Sequence, residues 1–295
     1  MEKIIVAVGV FLMKILALLP LRVNQFLGAC VGWLIWGLKL RAAKITCLNI
    51  DVCYPRLSIG ERKRLARRSV IETTRTMLEL AYVWFNQPAK VLAKVVEVDG
   101  GERLQRSREA GRGVMLLGPH LGNWEVTGLH LASKYQMASM YKPPKMPDFE
   151  KAMSKARGQT GAELVPTTQR GVARLLSILK RGGMVGILPD QVPVETSAEF
   201  APFFGREAHT MVLVSKILQK VDVDVFTAYS IRLPHGRGFR LCIRPVDKAI
   251  FDADLRTSLT ALNHAVELAI ADAVPQYQWE YKRFRRIAPG QEKIY

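Results

Sequence analysis

The chain has 295 residues, enough for one large α/β domain or two smaller ones. Apolar residues make up 49% of it, which excludes a disordered chain, because disordered chains are poor in apolar residues. The formal net charge is +17, and the short apolar runs after about residue 40 exclude a series of membrane spans.

The first forty residues are strongly apolar. The run from Ile4 to Leu21 has one charge, Lys14, and would reach roughly 27 Å as a helix. A second apolar run spans residues 26–38, and Lys39, Arg41 and Lys44 follow it. A cleaved signal peptide, a membrane-anchoring helix or hairpin, and a buried amphipathic pair are the alternatives. The cationic residues favour a membrane anchor with the basic residues on the cytoplasmic side, and domains at 1–40 and 41–295.

A basic segment follows the apolar one. Residues 56–75 contain seven basic side chains against Glu61 and Glu72, and Ser58 with Glu61 forms a capping-box pattern that opens a helix towards Trp84. Anionic lipid, an acidic protein, nucleic acid or plain solvent would all suit such a face. We expect no nucleic-acid partner, because no zinc finger, aromatic RNP strand or KH loop is present.

From about residue 95, short apolar runs alternate with helical patterns. Strands are predicted at 114–117, 138–141, 163–165, 185–188, 223–231 and 239–246, and helices at 123–134, 149–159, 170–181, 209–220 and 254–273. This order predicts an α/β fold with a mixed, largely parallel sheet flanked by helices, after a helical, membrane-anchoring N-terminal part. The last two strands are predicted to form an antiparallel hairpin at one edge.

The four cysteines, Cys30, Cys47, Cys53 and Cys242, form no CxxC pair and no zinc-type cluster with histidine. We therefore expect neither a structural metal nor a cofactor, and reduced thiols.

The loop after the first predicted strand of the body carries the candidate chemistry. It contains His120 and Glu125, which converge if His120 lies in the loop and Glu125 in the first turn of the next helix. Asn123 is then the N-cap, and a histidine beside a carboxylate is a general base. The Lys-Ser/Thr pair of a P-loop, an HExxH motif and a GxSxG elbow are all absent from the sequence. By spacing alone, a structural His/Glu pair remains an equal alternative.

Several further elements stand in order with this loop. They are Tyr141-Lys142-Pro143, Arg157 followed by Gly161, Pro189-Asp190-Gln191, Phe203-Phe204-Gly205, and Trp279-x-x-Lys282-Arg283-Phe284. Together with the HLGNWE hexapeptide of residues 120–125, they resemble the lipid A late acyltransferases of Gram-negative bacteria, within the HxxxxD/E glycerolipid acyltransferases. Lys142 replaces the usual arginine of the family's Tyr-Arg-Pro segment.

The resemblance implies an acyltransferase that moves a fatty acyl chain from an acyl-carrier-protein thioester to a hydroxyl of a lipid A precursor. His120 would remove the hydroxyl proton, Glu125 would orient His120, and no covalent acyl-enzyme would form. Asp190 would organise the site beside His120, with a helix cap as its alternative role.

The expected substrate-binding residues are Asn123, Lys142, Arg157, Arg170, Gln191, Phe203 and Phe204. The arginines would pair with acceptor phosphates or be ordinary surface charges, and the phenylalanines would line an acyl groove or pack in the core. The expected partners are acyl-carrier protein, a phosphorylated glycolipid and inner-membrane lipids. Coenzyme A as donor, another glycolipid or lysophospholipid as acceptor, and a non-catalytic binder of anionic lipid or nucleic acid remain alternatives.

Overall fold

Helices make up the first third of the chain. The computed structural model describes residues 2–141, 143, 147–193 and 197–295. It begins with helices α1 (Glu2–Leu18), α2 (Leu21–Gly37), α3 (Arg41–Cys53), α4 (Ile59–Phe85) and α5 (Pro88–Leu92). The predicted capping box at Ser58 and Glu61 is confirmed, and it opens α4.

Helix α2 packs directly against the long helix α4. A Cβ added at Gly28 would lie 2.6 Å from the Cα of Arg75, and one at Gly32 would lie 2.6 Å from the Cα of Ile71. The two backbones touch where only glycine fits, and Gln25 on the same face of α2 is buried. The predicted domain boundary at residue 40 stays a prediction, but α2 packs as part of the helical layer.

Proline divides the first apolar run. Pro20 cannot donate a backbone hydrogen bond, so α1 ends at Leu18 and α2 begins at Leu21. Among the described residues no single helix is long and apolar enough to cross a membrane; α2 and α3 meet that test only as a pair bent by 80°. Large apolar side chains nevertheless stay exposed on α1 and α2, among them Phe11, Phe26 and Leu34.

A seven-stranded mixed sheet forms the body, in the order β1-β9-β8-β2-β5-β3-β4. The strands are β1 (Val95–Asp99), β2 (Gly113–Leu117), β3 (Met137–Tyr141), β4 (Glu163–Pro166), β5 (Met184–Ile187), β8 (Val223–Arg232) and β9 (Phe239–Pro245). Neighbours pair in parallel except β8 with β9. The α/β fold with a largely parallel sheet is confirmed.

Helices cover both faces of this sheet. Alternate residues of β2 point to opposite faces, and each set packs against different helices. Met115 and Leu117 pack towards the helices α9 (Gln169–Lys180), α10 (Leu213–Leu218) and α11 (Leu255–Ala271). Val114 and Leu116 pack towards α6 (Gly101–Glu109) and α7 (Trp124–Lys134). Helix α8 (Pro147–Gly158) lies against α1 and α4.

Two sequence predictions are wrong in this region. Residues 206–211 form strand β7 (Arg206–Met211), which pairs with β6 (Ala198–Phe203) in a separate antiparallel hairpin, and only 213–218 are helical within the predicted helix 209–220. The hairpin of β8 and β9 exists but is not at the sheet edge, because β1 pairs with β9. The sequence did not predict β1, in which Glu97 and Asp99 interrupt the valines and three of the five residues are exposed.

Candidate active site

Two neighbouring parallel strands end side by side at the site. Leu117, the last residue of β2, is in register with Ile187, the last residue of β5. His120 and Asp190 each follow three residues later, in loops at the carboxyl edge of the sheet. Loops at this edge are where open α/β sheets place functional groups. Parallel pairing therefore brings together two residues that are 70 positions apart in sequence.

Asp190 holds His120 by both its backbone and its ring. One carboxylate oxygen accepts the backbone N–H of His120 at 2.8 Å, and the other lies 2.8 Å from Nδ1 of the imidazole. The Tyr277 hydroxyl donates to the same carboxylate. Burial by itself would raise the pKa of Asp190, but the nearby charge of His120 and the hydrogen bonds from the ring and backbone of His120 hold the pKa below its usual value. Asp190 is therefore ionised and fixes the imidazole with its proton on Nδ1.

The other ring nitrogen faces Gln191. Its amide nitrogen lies 3.2 Å from Nε2 of His120, so Nε2 accepts this hydrogen bond and carries a lone pair. The side chain of His120 is 13% exposed, whereas that of Asp190 is 2% exposed. A neutral imidazole with a bare, reachable Nε2 is the form that accepts a proton from a hydroxyl.

Glu125 does not contact His120, the partner that the sequence analysis expected for it. It does lie in the first turn of α7, as expected, but its carboxylate accepts two hydrogen bonds from Nε of Arg157 at 3.0 and 3.2 Å and one from Nη2. Within the described residues no hydrogen bond joins Glu125 to His120, whose ring nitrogens face Asp190 and Gln191. The indole of Trp124 separates them: it donates to Glu125 and packs edge-on against His120 at 4.9 Å. Five-residue spacing could not reveal this separation.

Asn123 is the N-cap of α7, as predicted, and accepts from the backbone N–H of Val126. The loop before it is tied down on both sides. Ser230 on β8 accepts the N–H of Asn123, and the backbone oxygen of Gln276 accepts the N–H of Gly122, each at 2.9 Å. Gly122 has φ +58, and a Cβ there would lie 2.0 Å from the Ser230 oxygen, so glycine is required.

A buried ion cluster supports this loop from behind, and sequence reasoning missed it. Arg232 at the end of β8 pairs with Glu79 and Glu72 of α4, and Glu79 also accepts from the Asn123 side chain at 3.1 Å. Thr76 donates to the backbone oxygen of Gly122 at 3.2 Å. Burial favours a neutral arginine, yet the two carboxylates raise the pKa of Arg232 above its usual value. The signal in the sequence was a lone acid, Glu79, between apolar neighbours.

The remaining predicted site residues are dispersed. Arg170 is exposed in the first turn of α9, and Lys142 lies outside the described residues. Phe203 is 1% exposed and cannot line an open groove. Phe204 turns the β6–β7 hairpin and packs on Tyr54 and Trp279, with ring centroids 5.3 and 5.6 Å away. The burial of Phe203 favours the packing role, and the groove role of the partly exposed Phe204 stays a prediction.

The C-terminal segment closes the site through its backbone. The N–H of Gln278 donates to the backbone oxygen of His120 at 3.1 Å, and the hydroxyl of Tyr281 accepts the N–H of Val192 at 2.9 Å. Asn49 holds the segment in turn by donating to the oxygens of Trp279 and Tyr281. Within the described residues no group of three or more His, Cys, Asp or Glu side chains could hold a metal ion.

Comparison with known proteins matches nearly the whole chain. The sequence model of the bacterial lipid A biosynthesis acyltransferases matches residues 1–286. The chain belongs to this family. It is 25% identical to the lipid A biosynthesis palmitoleoyltransferase of Escherichia coli (strain K12) over 278 residues, which cover 94% of this chain and 90% of that protein. The lauroyltransferase of the same strain is 24% identical over 96% of this chain and 92% of its own length.

Membership in the family supports an acyltransferase of lipid A biosynthesis. A third relative, the lipid A biosynthesis myristoyltransferase of Escherichia coli (strain K12), is 24% identical over 97% of this chain and 88% of its own length. The three relatives are named for three different acyl chains. Identity to them differs by one percentage point at most, so similarity alone does not assign an acyl chain to this protein.

Proposed function

We propose that this protein transfers a fatty acyl chain from an acyl-carrier-protein thioester directly to a hydroxyl of a lipid A precursor, with His120 as the general base. The observation that carries the proposal is the geometry of the imidazole: an Asp190 oxygen lies 2.8 Å from Nδ1 and the Gln191 amide nitrogen lies 3.2 Å from Nε2, which favours a proton on Nδ1 and a lone pair on Nε2. A base in this form acts on a hydroxyl at neutral pH without forming a covalent intermediate.

The reaction balances with His120 alone as the proton carrier. Nε2 takes the hydroxyl proton while the oxygen attacks the thioester carbonyl carbon. The tetrahedral intermediate collapses as the C–S bond breaks, and the imidazolium returns the proton to the departing thiolate. The backbone N–H groups of Trp124 and Glu125 lie in the first turn of α7, where no preceding turn supplies an acceptor. They would donate hydrogen bonds to the oxyanion of the intermediate and stabilise it.

In this proposal the carboxylates have separate tasks. Asp190 fixes the tautomer of His120 and stabilises its cationic form. Glu125 fixes Arg157, whose side chain keeps 26% exposure, so that the remaining edge of the guanidinium meets a phosphate of the acceptor. Glu125 is thus a positioning residue for an anion site beside the base.

Surface charge supports a carrier-protein donor, and exposed apolar side chains support contact with the membrane. Lys63, Arg64 and Arg68 are exposed on α4 and would attract an acidic carrier protein, whereas Arg67 is held over the ring of Trp33 at 5.0 Å. The exposed apolar side chains of α1 and α2 would lie against the cytoplasmic face of the inner membrane, where the lipid acceptor is found.

The His120→Ala variant should lower turnover by about 10²–10⁴-fold, the usual contribution of a general base. Asp190→Asn should approach this loss, because an amide can donate to Nδ1 and so favour the wrong tautomer. Acyl transfer to a lipid A precursor is followed by mass spectrometry, with vesicle binding measured in parallel. The control is His264→Ala, since the His264 side chain is 60% exposed. Unchanged turnover for His120→Ala would reject the base and leave a lipid-binding protein.

Reversal of Arg64 and Arg68 to Glu should raise the KM for acyl-carrier protein at low salt, with kcat little changed. The effect should shrink as salt screens charges beyond roughly 10 Å at 0.1 M. The matched control reverses Arg103 and Arg106, which are exposed on α6, and carries the same charge change. Equal KM effects from both pairs would show that net charge, rather than a docking face on α4, attracts the donor. Equally efficient use of an acyl-coenzyme A donor would contradict the proposal that acyl-carrier protein is the donor.

Replacement of Phe11, Phe26 and Leu34 by Gln should move the protein from the membrane pellet to the supernatant. These side chains are 60–66% exposed, and burial of each in lipid contributes about 1.5–3 kcal/mol. The control replaces Val96, Leu268 and Ile287, which are 47–59% exposed outside α1 and α2. Fractionation with circular dichroism checks both variants. A folded triple variant that stays in the pellet would contradict the proposal that these three side chains lie against the membrane.

A further inference from the structure

A chain of hydrogen bonds runs away from Nε2 of His120 to a carboxylate on the C-terminal segment. The amide nitrogen of Gln191, 3.2 Å from Nε2, also donates to the side-chain oxygen of Gln278 at 3.0 Å. The Gln278 side chain in turn donates to Glu280. Thr73 of α4 donates to the same carboxylate at 3.0 Å. No step of the proposed reaction uses Gln278, Glu280 or Thr73.

The two ends of this chain fix its direction. Glu280 accepts hydrogen bonds from Thr73 and from the Gln278 side chain, so the amide nitrogen of Gln278 faces Glu280. The oxygen of Gln278 then faces Gln191, which must turn its own nitrogen towards it. At the other end Asp190 accepts a hydrogen bond from the Nδ1–H of His120, so Nε2 carries no proton and accepts as well. Both ends require Gln191 to present an N–H, and not its oxygen, to the base.

Glu280 is half-buried, and the pKa of its carboxyl is raised above the usual value. Burial raises the pKa of its carboxyl, while the hydrogen bonds from its own backbone, Thr73 and Gln278 and the charge of His120 act in the opposite direction. A glutamine at position 280 would have both a donor and an acceptor and would allow the chain to run either way.

We propose that Glu280 is a positioning residue that fixes the direction of the Gln278–Gln191 chain, so that the acceptor hydroxyl inserts between the Gln191 N–H and Nε2 of His120. The inference rests on the proposed function for its substrate, a sugar or acyl-chain hydroxyl. Such a hydroxyl accepts from Gln191 and donates to Nε2 in the same geometry. With the chain reversed, the oxygen of Gln191 would face Nε2, favour its protonation and offer the hydroxyl no donor.

The test uses the full chain in detergent with ¹⁵N-labelled histidine rings. In the unaltered protein the His120 signals, assigned by their loss in His120→Ala, should show a protonated Nδ1 and a hydrogen-bonded, unprotonated Nε2. In Glu280→Gln the Nε2 signal should shift as a second tautomer becomes populated, and kcat should fall by about tenfold, the range expected for one hydrogen bond to a charged group. The KM for the acyl donor should not change.

Two further variants separate positioning from simple stability. Thr73→Val removes a hydrogen bond to the Glu280 carboxylate but leaves the hydrogen bonds through Gln278 and Gln191 intact. Its kcat and Nε2 signal should therefore match those of the unaltered protein. In a Gln191→Ala background, Glu280→Gln should have no further effect on kcat, because the chain is already cut. An unshifted Nε2 signal in Glu280→Gln, or independent losses from Gln191→Ala and Glu280→Gln, would overturn the proposal. The ring signals are read without turnover, so this failure is distinct from failure of the proposed reaction.

Discussion

The site depends on one buried carboxylate, Asp190, whose negative charge must be compensated by hydrogen-bond donors. Asp190 is 3% exposed, and a buried ionised carboxyl is costly unless donors surround it. The ring and backbone of His120 supply two of those donors, which is possible because β2 and β5 end in register. The cost of burying Asp190 is thus offset by the same contacts that orient the imidazole of His120. The second buried acid, Glu79, does the same for the start of α7 through Arg232 and Asn123.

Much of the fold could be predicted from hydrophobic periodicity. The buried parallel strands β2 and β5 are unbroken apolar runs, and α9 and α11 have clear apolar faces. The strand β1 was missed because Glu97 and Asp99 interrupt its valines and its pairing with the distant strand β9 cannot be read from local sequence. The hairpin β6–β7 was missed because its turn places Phe204 at φ 50, a conformation for which phenylalanine gives no signal.

The residues of the site could be predicted, but their partners could not. His120, Asn123 and Asp190 lie at the strand and helix ends where the sequence put them, and the Asn123 cap follows from local geometry. The choice between Glu125 and Asp190 as the partner of His120 depends on which strand lies beside β2, and this is a property of the sheet order. Glu280 gave no signal, because nothing in its neighbourhood shows that the C-terminal segment reaches His120.

The most direct test of this account is a pair of double-mutant cycles on acyl transfer, one joining His120 to Asp190 and the other joining His120 to Glu125. If Asp190 acts through His120, the His120→Ala/Asp190→Ala double variant should be about as slow as His120→Ala alone. If Glu125 acts through Arg157 instead, the losses from His120→Ala and Glu125→Ala should multiply. Multiplying losses for Asp190 together with non-additive losses for Glu125 would contradict the account and assign Glu125 to the base.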